Sequence, residues 1–114
     1  MKKLVLGAAL SMLLAAPAHA EITVGMFLAK AEAVKAGKDP NGRKILRAEM
    51  DRADRDFQTR YRSGAIRDVC IKGSASLEPE FVLNYFRSLP PPQRAMTGMN
   101  AGFYGAMKKR FPCW

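Results

Sequence analysis

The sequence predicts a small all-α domain of four helices, and three observations support that prediction. Beyond residue 20, apolar residues recur at intervals of three and four along most of the chain, which is the period of amphipathic helices. No stretch of useful length alternates apolar and polar residues, as a half-buried strand would. Segments rich in glycine and proline, at residues 37–42 and 90–92, mark turns between the periodic stretches. We therefore expect a single domain over residues 21–114, a length too short for two separate cores.

The first two predicted helices differ in how much apolar surface they carry. The segment that begins at Thr23 is amphipathic, with Thr23 as its N-cap and Gly37 as its closing residue. The segment from residue 43 to residue 64 is far more charged. Its apolar residues form one narrow stripe, which consists of Leu46, Met50, Ala53, Phe57 and Tyr61. This pattern predicts a long helix that contacts the core along a narrow face.

The third predicted helix is expected to form the centre of the core. Ser76 is its predicted N-cap, and Glu78 and Glu80 lie in the first turn, where the helix dipole favours negative charge. Its apolar face is broad and rich in aromatic residues. Three prolines at residues 90–92 end the helix, because proline lacks the amide donor that a continuing helix needs.

The fourth predicted helix runs from about residue 93 to residue 110. Basic residues fill its final turn, where the helix dipole favours cations. Gly98, Gly102 and Gly105 lower its intrinsic helix propensity by about 1 kcal/mol each relative to alanine. Small residues at this spacing indicate that a neighbouring helix comes close.

Residues 1–20 have the three parts of a secretory signal peptide. Lys2 and Lys3 precede an apolar stretch at residues 4–15, and Ala18-His19-Ala20 forms a small-residue cleavage pattern. The apolar stretch is shorter than the roughly 20 residues that a membrane-spanning helix needs. We therefore predict cleavage after Ala20 and a periplasmic product without a membrane span.

Loss of the signal peptide would remove His19, the only histidine of the chain. The remaining chain then has no Ser-His or Cys-His pair, no histidine general base and no histidine-ligated metal site. Its carboxylates mostly lie beside lysine or arginine, and no pattern places two of them in one apolar pocket. We accordingly predict a protein that is not an enzyme and that holds no cofactor or metal.

Cys70 and Cys113 are the two cysteines of the chain. An even pair in an oxidising compartment favours a disulfide over two free thiols or a two-cysteine metal site, which would need further ligands. Cys70 lies just before the third predicted helix, and Cys113 lies just after the fourth. A tight proline turn makes these two helices antiparallel, so we predict that the disulfide clamps the open end of this helical hairpin.

The chain is strongly basic, with a net charge of +9, or +7 once Lys2 and Lys3 leave with the signal peptide. This balance suits an acidic partner, and nucleic acid is the least expected one for an exported protein. The second predicted helix carries a cluster of cations that is our candidate partner-binding surface: Arg43, Lys44, Arg47, Arg52, Arg55, Arg60 and Arg62. Arginine is favoured at interfaces because its planar group donates several hydrogen bonds. The alternative is that these residues only keep the helix soluble.

The C-terminal half combines a cysteine, a short linker, a helix that ends in a proline turn (LNYFRSLPPPQR), and a small-residue helix (AGFYGAM) that leads to Phe-Pro-Cys. Over residues 70–113 this arrangement resembles the Rap/Tai family of type VI secretion system amidase immunity proteins. The matching positions are structural ones: Cys70, Pro90, Arg94, Phe111, Pro112 and Cys113. Unlike many members, the chain has no cysteine near its first helix, and its second helix is more charged.

The resemblance implies an all-helical periplasmic protein that is held by a disulfide and is often a homodimer. It also implies a function, which is to bind a secreted peptidoglycan amidase and block its active-site groove, so that the producing cell is protected. The alternative hypothesis is a small periplasmic helical stress chaperone, whose methionines would serve adaptable binding. An amidase-like protein encoded in the neighbouring reading frame would favour the first hypothesis.

Overall fold

The computed structural model of the chain describes residues 21–73 and 77–113. These residues are helical and contain no β-strand, which confirms the all-α prediction, but they form five helices instead of four. The helices are α1 (Val24–Lys35), α2 (Gly42–Arg62), α3 (Pro79–Ser88), α4 (Pro91–Met96) and α5 (Met99–Arg110). The predicted signal peptide at residues 1–20 lies outside the described residues. The predicted start of the third helix is wrong: its N-cap is Glu78 and not Ser76, because Pro79 takes the first helical position, which suits proline. Only Glu80 of the two predicted acidic residues therefore lies in the first turn.

Helix α1 begins and ends where its sequence signals predict. The Thr23 hydroxyl accepts a hydrogen bond from the Met26 amide at 3.1 Å, which satisfies one free donor of the first turn. Gly37 follows the last turn with a φ of +74°, a conformation that favours glycine. Val24, Phe27 and Leu28 are buried, so this short helix contributes one face to the core.

The predicted fourth helix is divided into α4 and α5 by an extended stretch at Thr97 and Gly98. The cause is a short antiparallel pairing with residues 22–24. The Val24 amide donates to the Thr97 carbonyl at 2.8 Å, and the Met99 amide donates to the Ile22 carbonyl at 3.0 Å. These hydrogen bonds replace the helical ones that an unbroken helix would make at this point.

The turn between α3 and α4 is fixed by Arg94. Its guanidinium donates to the Leu89 carbonyl at 2.8 Å and to the Arg87 carbonyl at 2.6 Å, so it satisfies acceptors that the end of α3 leaves free. The prolines end α3 as predicted, but Pro91 also begins α4. Proline suits the first turn of a helix, because the amide it lacks has no partner there.

Helix α5 lies at the centre of the core, a position that the sequence pattern assigned to the third predicted helix. It packs against α1, α2 and α3, and five of its residues are buried, whereas α3 buries Val82 and Phe86. The Phe86 ring meets the Phe27 ring edge to face, with 5.8 Å between centroids. Gly102 lies between α1 and α3, so the prediction that small residues let neighbouring helices come close is confirmed.

The disulfide between Cys70 and Cys113 is present, with 5.0 Å between the two Cα atoms. Beside it the chain pairs briefly as antiparallel backbone, because the Cys70 amide donates to the Phe111 carbonyl at 2.8 Å and Val69 bridges to Pro112. The Phe111 side chain is buried in the core. The C-terminal end of α5 is therefore held both covalently and by hydrogen bonds to the linker that precedes α3.

Candidate partner-binding surface

The seven cations of the predicted surface all lie on α2, but they do not share one face of it. Successive residues of an α-helix are rotated by about 100°, which separates the seven into three groups. Arg43 and Arg47 lie on the edge next to α1 and α3. The second group lies farther from the core, and the third group lies on the opposite flank.

Arg52 and Arg60 form that third group, and both are engaged within the domain. Arg52 donates to the Asn100 side chain at 3.0 Å and pairs with Glu49 at 3.1 Å. Arg60 pairs with Asp56 at 3.2 Å, one helical turn away. The contact between Arg52 and Asn100 links α2 to the start of α5, whereas the two ion pairs lie within α2. Both guanidinium groups are satisfied in part. Arg52 and Arg60 are therefore less suited to a partner than their neighbours.

Lys44, Arg55 and Arg62 form the second group, and all three are exposed. Within residues 21–73 and 77–113 they form no ion pair. They lie on the face of α2 that turns away from the core. This group is a solvated positive face, which attracts acidic molecules over a distance but gives them no shaped site.

Arg43 and Arg47 border an open apolar groove between α1, α2 and α3, which we call the arginine groove. Its volume is about 440 Å³. Its lining residues come from all three helices and are Phe27, Ala31, Arg43, Leu46, Arg47, Met50, Asp51, Pro79 and Leu83. The groove exists because α2 and α3 each pack against α1 and α5, which leaves a space between α2 and α3. The structure thus places Arg43 and Arg47 together beside the apolar surface of this groove.

The apolar residues of the arginine groove were not predicted as site residues. Helical periodicity assigns Phe27 to the core and leaves Leu83 outside the apolar face of the third predicted helix, and the predicted surface lies on α2 alone. The contact between these segments joins residues that are far apart in the chain, so no local pattern contains it. One feature of the sequence does point to the groove, which is the narrow apolar stripe of α2. A stripe of this width cannot cover the apolar faces of two neighbouring helices fully, so part of those faces stays exposed.

A second group of interacting charges lies near the disulfide, between the linker and α5. The Tyr104 hydroxyl lies 2.5 Å from both carboxylate oxygens of Asp68, and the Lys108 ammonium lies 3.2 Å from one of them. The hydrogen bond from Tyr104, followed by the one from Lys108, holds the pKa of Asp68 below its ordinary value of 3.8. The same hydrogen bond raises the pKa of Tyr104 above its ordinary value of 10.0. This cluster fastens the linker to α5.

We predict that Tyr104→Phe lowers the thermal stability in a pH-dependent way. Since the folded-state pKa of Asp68 is depressed, its contribution is present above its unfolded pKa and is lost as the pH falls through the folded value. The folded-state pKa of Tyr104 is raised. The stability that its hydroxyl contributes is therefore present below its unfolded pKa and is lost as the pH rises through the folded value. The Tm difference between wild type and variant is thus largest from about pH 5 to pH 9.

Thermal unfolding followed by circular dichroism across this pH range checks the prediction. The control is Tyr85→Phe, since the Tyr85 hydroxyl makes no hydrogen bond within the described residues. A Tm difference for Tyr104→Phe that stays the same at every pH would contradict the prediction.

Comparisons with models of protein families, with curated proteins and with solved structures find no match for this chain. The resemblance of residues 70–113 to the Rap/Tai family therefore stays a prediction from the sequence. No helix among the described residues is long and apolar enough to cross a membrane. In the same part of the chain, no group of three or more His, Cys, Asp or Glu residues is placed to hold a metal ion.

Proposed function

We propose that this protein is an exported binding protein that neutralises a peptidoglycan amidase effector of a type VI secretion system. The observation that carries the proposal is the arginine groove, an open apolar surface with Arg43 and Arg47 along one edge. Protein interfaces combine apolar area with arginine in this way. The family resemblance of residues 70–113 supplies the identity of the partner.

The scaffold suits such a role outside the cytoplasm. The disulfide between Cys70 and Cys113 is consistent with an oxidising compartment, where such bonds persist. In the proposal, the signal peptide is removed after Ala20 and the domain acts in the periplasm, as a homodimer like many members of the family it resembles. A cationic surface would speed capture of an acidic partner by electrostatic steering.

The proposal predicts that a neighbouring reading frame encodes a small amidase-like protein, and the test combines that protein with the present protein from residue 21 onward. We expect the two to co-purify as a stable complex in which peptidoglycan hydrolysis by the amidase is inhibited. Light scattering during size-exclusion chromatography gives the oligomeric state of the free protein and of the complex. An amidase that remains fully active and elutes alone would contradict the proposal.

A small periplasmic stress chaperone is the second candidate function, and exposed methionines favour it. Met96 is 86% exposed and Met26 is 57% exposed. Methionine usually fills gaps in protein cores, and where it is exposed its flexible side chain suits binding to varied apolar surfaces. A chaperone would suppress the aggregation of unrelated proteins at low pH. Suppression of that aggregation without binding of the amidase would favour the chaperone over the inhibitor.

A further inference from the structure

The arginine groove is an apolar site whose own residues do not fill it. Leu46, Met50 and Leu83 line it and are only half-buried, and buried Phe27 contributes to its floor. Covering such side chains with apolar surface is worth about 25 cal/mol per Å² removed from water. A partner that brings an apolar side chain to this place would therefore gain binding energy.

The charges along the edge of the groove select the polar part of the occupant. Arg43 and Arg47 lie one helical turn apart on α2, both are exposed, and neither forms an ion pair within the described part of the chain. Asp51 follows one turn later on the same edge and likewise has no ion pair there. The edge therefore carries two positive charges and one negative charge. Two guanidinium groups at this spacing suit a carboxylate, which arginine binds with paired hydrogen bonds.

The shape of the groove favours a protein segment over a small ligand. Small-molecule sites generally enclose most of the ligand surface, but this groove is open along one side between α2 and α3. A helix that lies along such a groove covers it, with apolar residues toward the floor and polar residues toward the edges. A second copy of this basic chain is a poorer occupant, since it would bring further positive charge to the arginines.

We propose that the arginine groove binds an amphipathic helix of the amidase, with an apolar side chain over Phe27 and Leu83 and a carboxylate between Arg43 and Arg47. This inference rests on the proposed function and names the surface through which it operates. Arg43 and Arg47 then determine which helices fit, because an amphipathic helix with lysine at that position would meet two like charges.

The experiment compares two charge-reversed variants of the same helix. The variant Arg43→Glu/Arg47→Glu changes the groove, and the control Arg55→Glu/Arg62→Glu makes the same change in net charge on the solvated face of α2. A third variant, Leu83→Ala, shortens an apolar groove residue without changing the charge. Affinity of each variant for the amidase is measured by isothermal titration calorimetry, after thermal unfolding has shown that it is folded.

We expect Arg43→Glu/Arg47→Glu and Leu83→Ala each to weaken binding at least about tenfold, while the control changes it less than about threefold. Equal losses of affinity in the two charge-reversed variants would mean that binding depends on the net charge of α2 and not on the groove. That result would overturn the groove proposal. Unchanged affinity in both groove variants would overturn it too, while the binding function would stand. Absence of binding by the wild-type protein would overturn both proposals.

Discussion

Replacing both bridging cysteines, Cys70→Ser with Cys113→Ser, is expected to lower the free energy of unfolding by about 4 kcal/mol. The two residues are 43 positions apart, so the bridge closes a long loop and restricts the unfolded chain strongly. For a domain of this size, the corresponding fall in Tm is about 20 °C. The change is large because a small domain has only about 5–15 kcal/mol of stability in total.

Thermal unfolding of the wild-type protein and of the double variant, each with and without a reducing agent, measures this effect. The reducing agent should lower the Tm of the wild type toward that of the double variant. It should leave the double variant unchanged, which controls for its other effects. Similar Tm values for the oxidised wild type and the double variant would show that the hydrogen bonds beside the bridge suffice to hold the end of α5.

The second large effect is expected from Gly102→Ala, with a net loss of about 2 kcal/mol in the free energy of unfolding. A Cβ atom at Gly102 would lie 2.6 Å from a methyl carbon of Val24 and 3.0 Å from a ring carbon of Phe86. Both neighbours are fully buried, so we take the cost of overpacking at the upper end of its range, about 3 kcal/mol. Alanine regains about 1 kcal/mol through its higher helix propensity, which is too little to change the sign.

Gly105→Ala provides the matched control, because it makes the same chemical change one turn later on the same helix. The nearest atom to the added Cβ would be the hydroxyl of Tyr85, the far end of a half-buried side chain that lines an open cleft together with Gly105. We expect this variant to be as stable as wild type or more stable by up to about 1 kcal/mol. Chemical denaturation of both variants gives the comparison, and a shift of both in the same direction would contradict the packing argument.

Local sequence signals predicted the parts of the fold that depend on local physics. The Thr23 cap, the Gly37 turn, the narrow stripe of α2 and the proline stop after α3 all depend on residues within one or two helical turns. The division of the last predicted helix at Thr97 was missed, since it depends on hydrogen bonds to residues more than seventy positions earlier. Helical periodicity contains no information about such a pairing.

The candidate site shows the same division between local and distant contacts. Counting cations on α2 identified Arg43 and Arg47, but their difference from Arg52 and Arg60 depends on where α1, α3 and α5 pack. The position of Asn100 next to Arg52, for example, follows from the tertiary fold. The sequence therefore predicted which helix carries the charges, and the packing of its neighbours separated the arginines beside the groove from those used within the domain.

The pairing of Ile22 and Val24 with the backbone around Thr97 also has a consequence for the order of folding. The Glu21 carboxylate adds to it, accepting a hydrogen bond at 2.7 Å from the Asn100 amide at the start of α5. The central helix α5 is thus anchored by residues 21–24 at one end and by the disulfide at the other. Residues 21–24 must meet residues 97–100 before the core can close. Such contacts between distant parts of the chain slow folding relative to helical bundles with only local contacts. Residues 21–113 are expected to fold as one cooperative unit once Cys113 has emerged from the ribosome, and not helix by helix during synthesis.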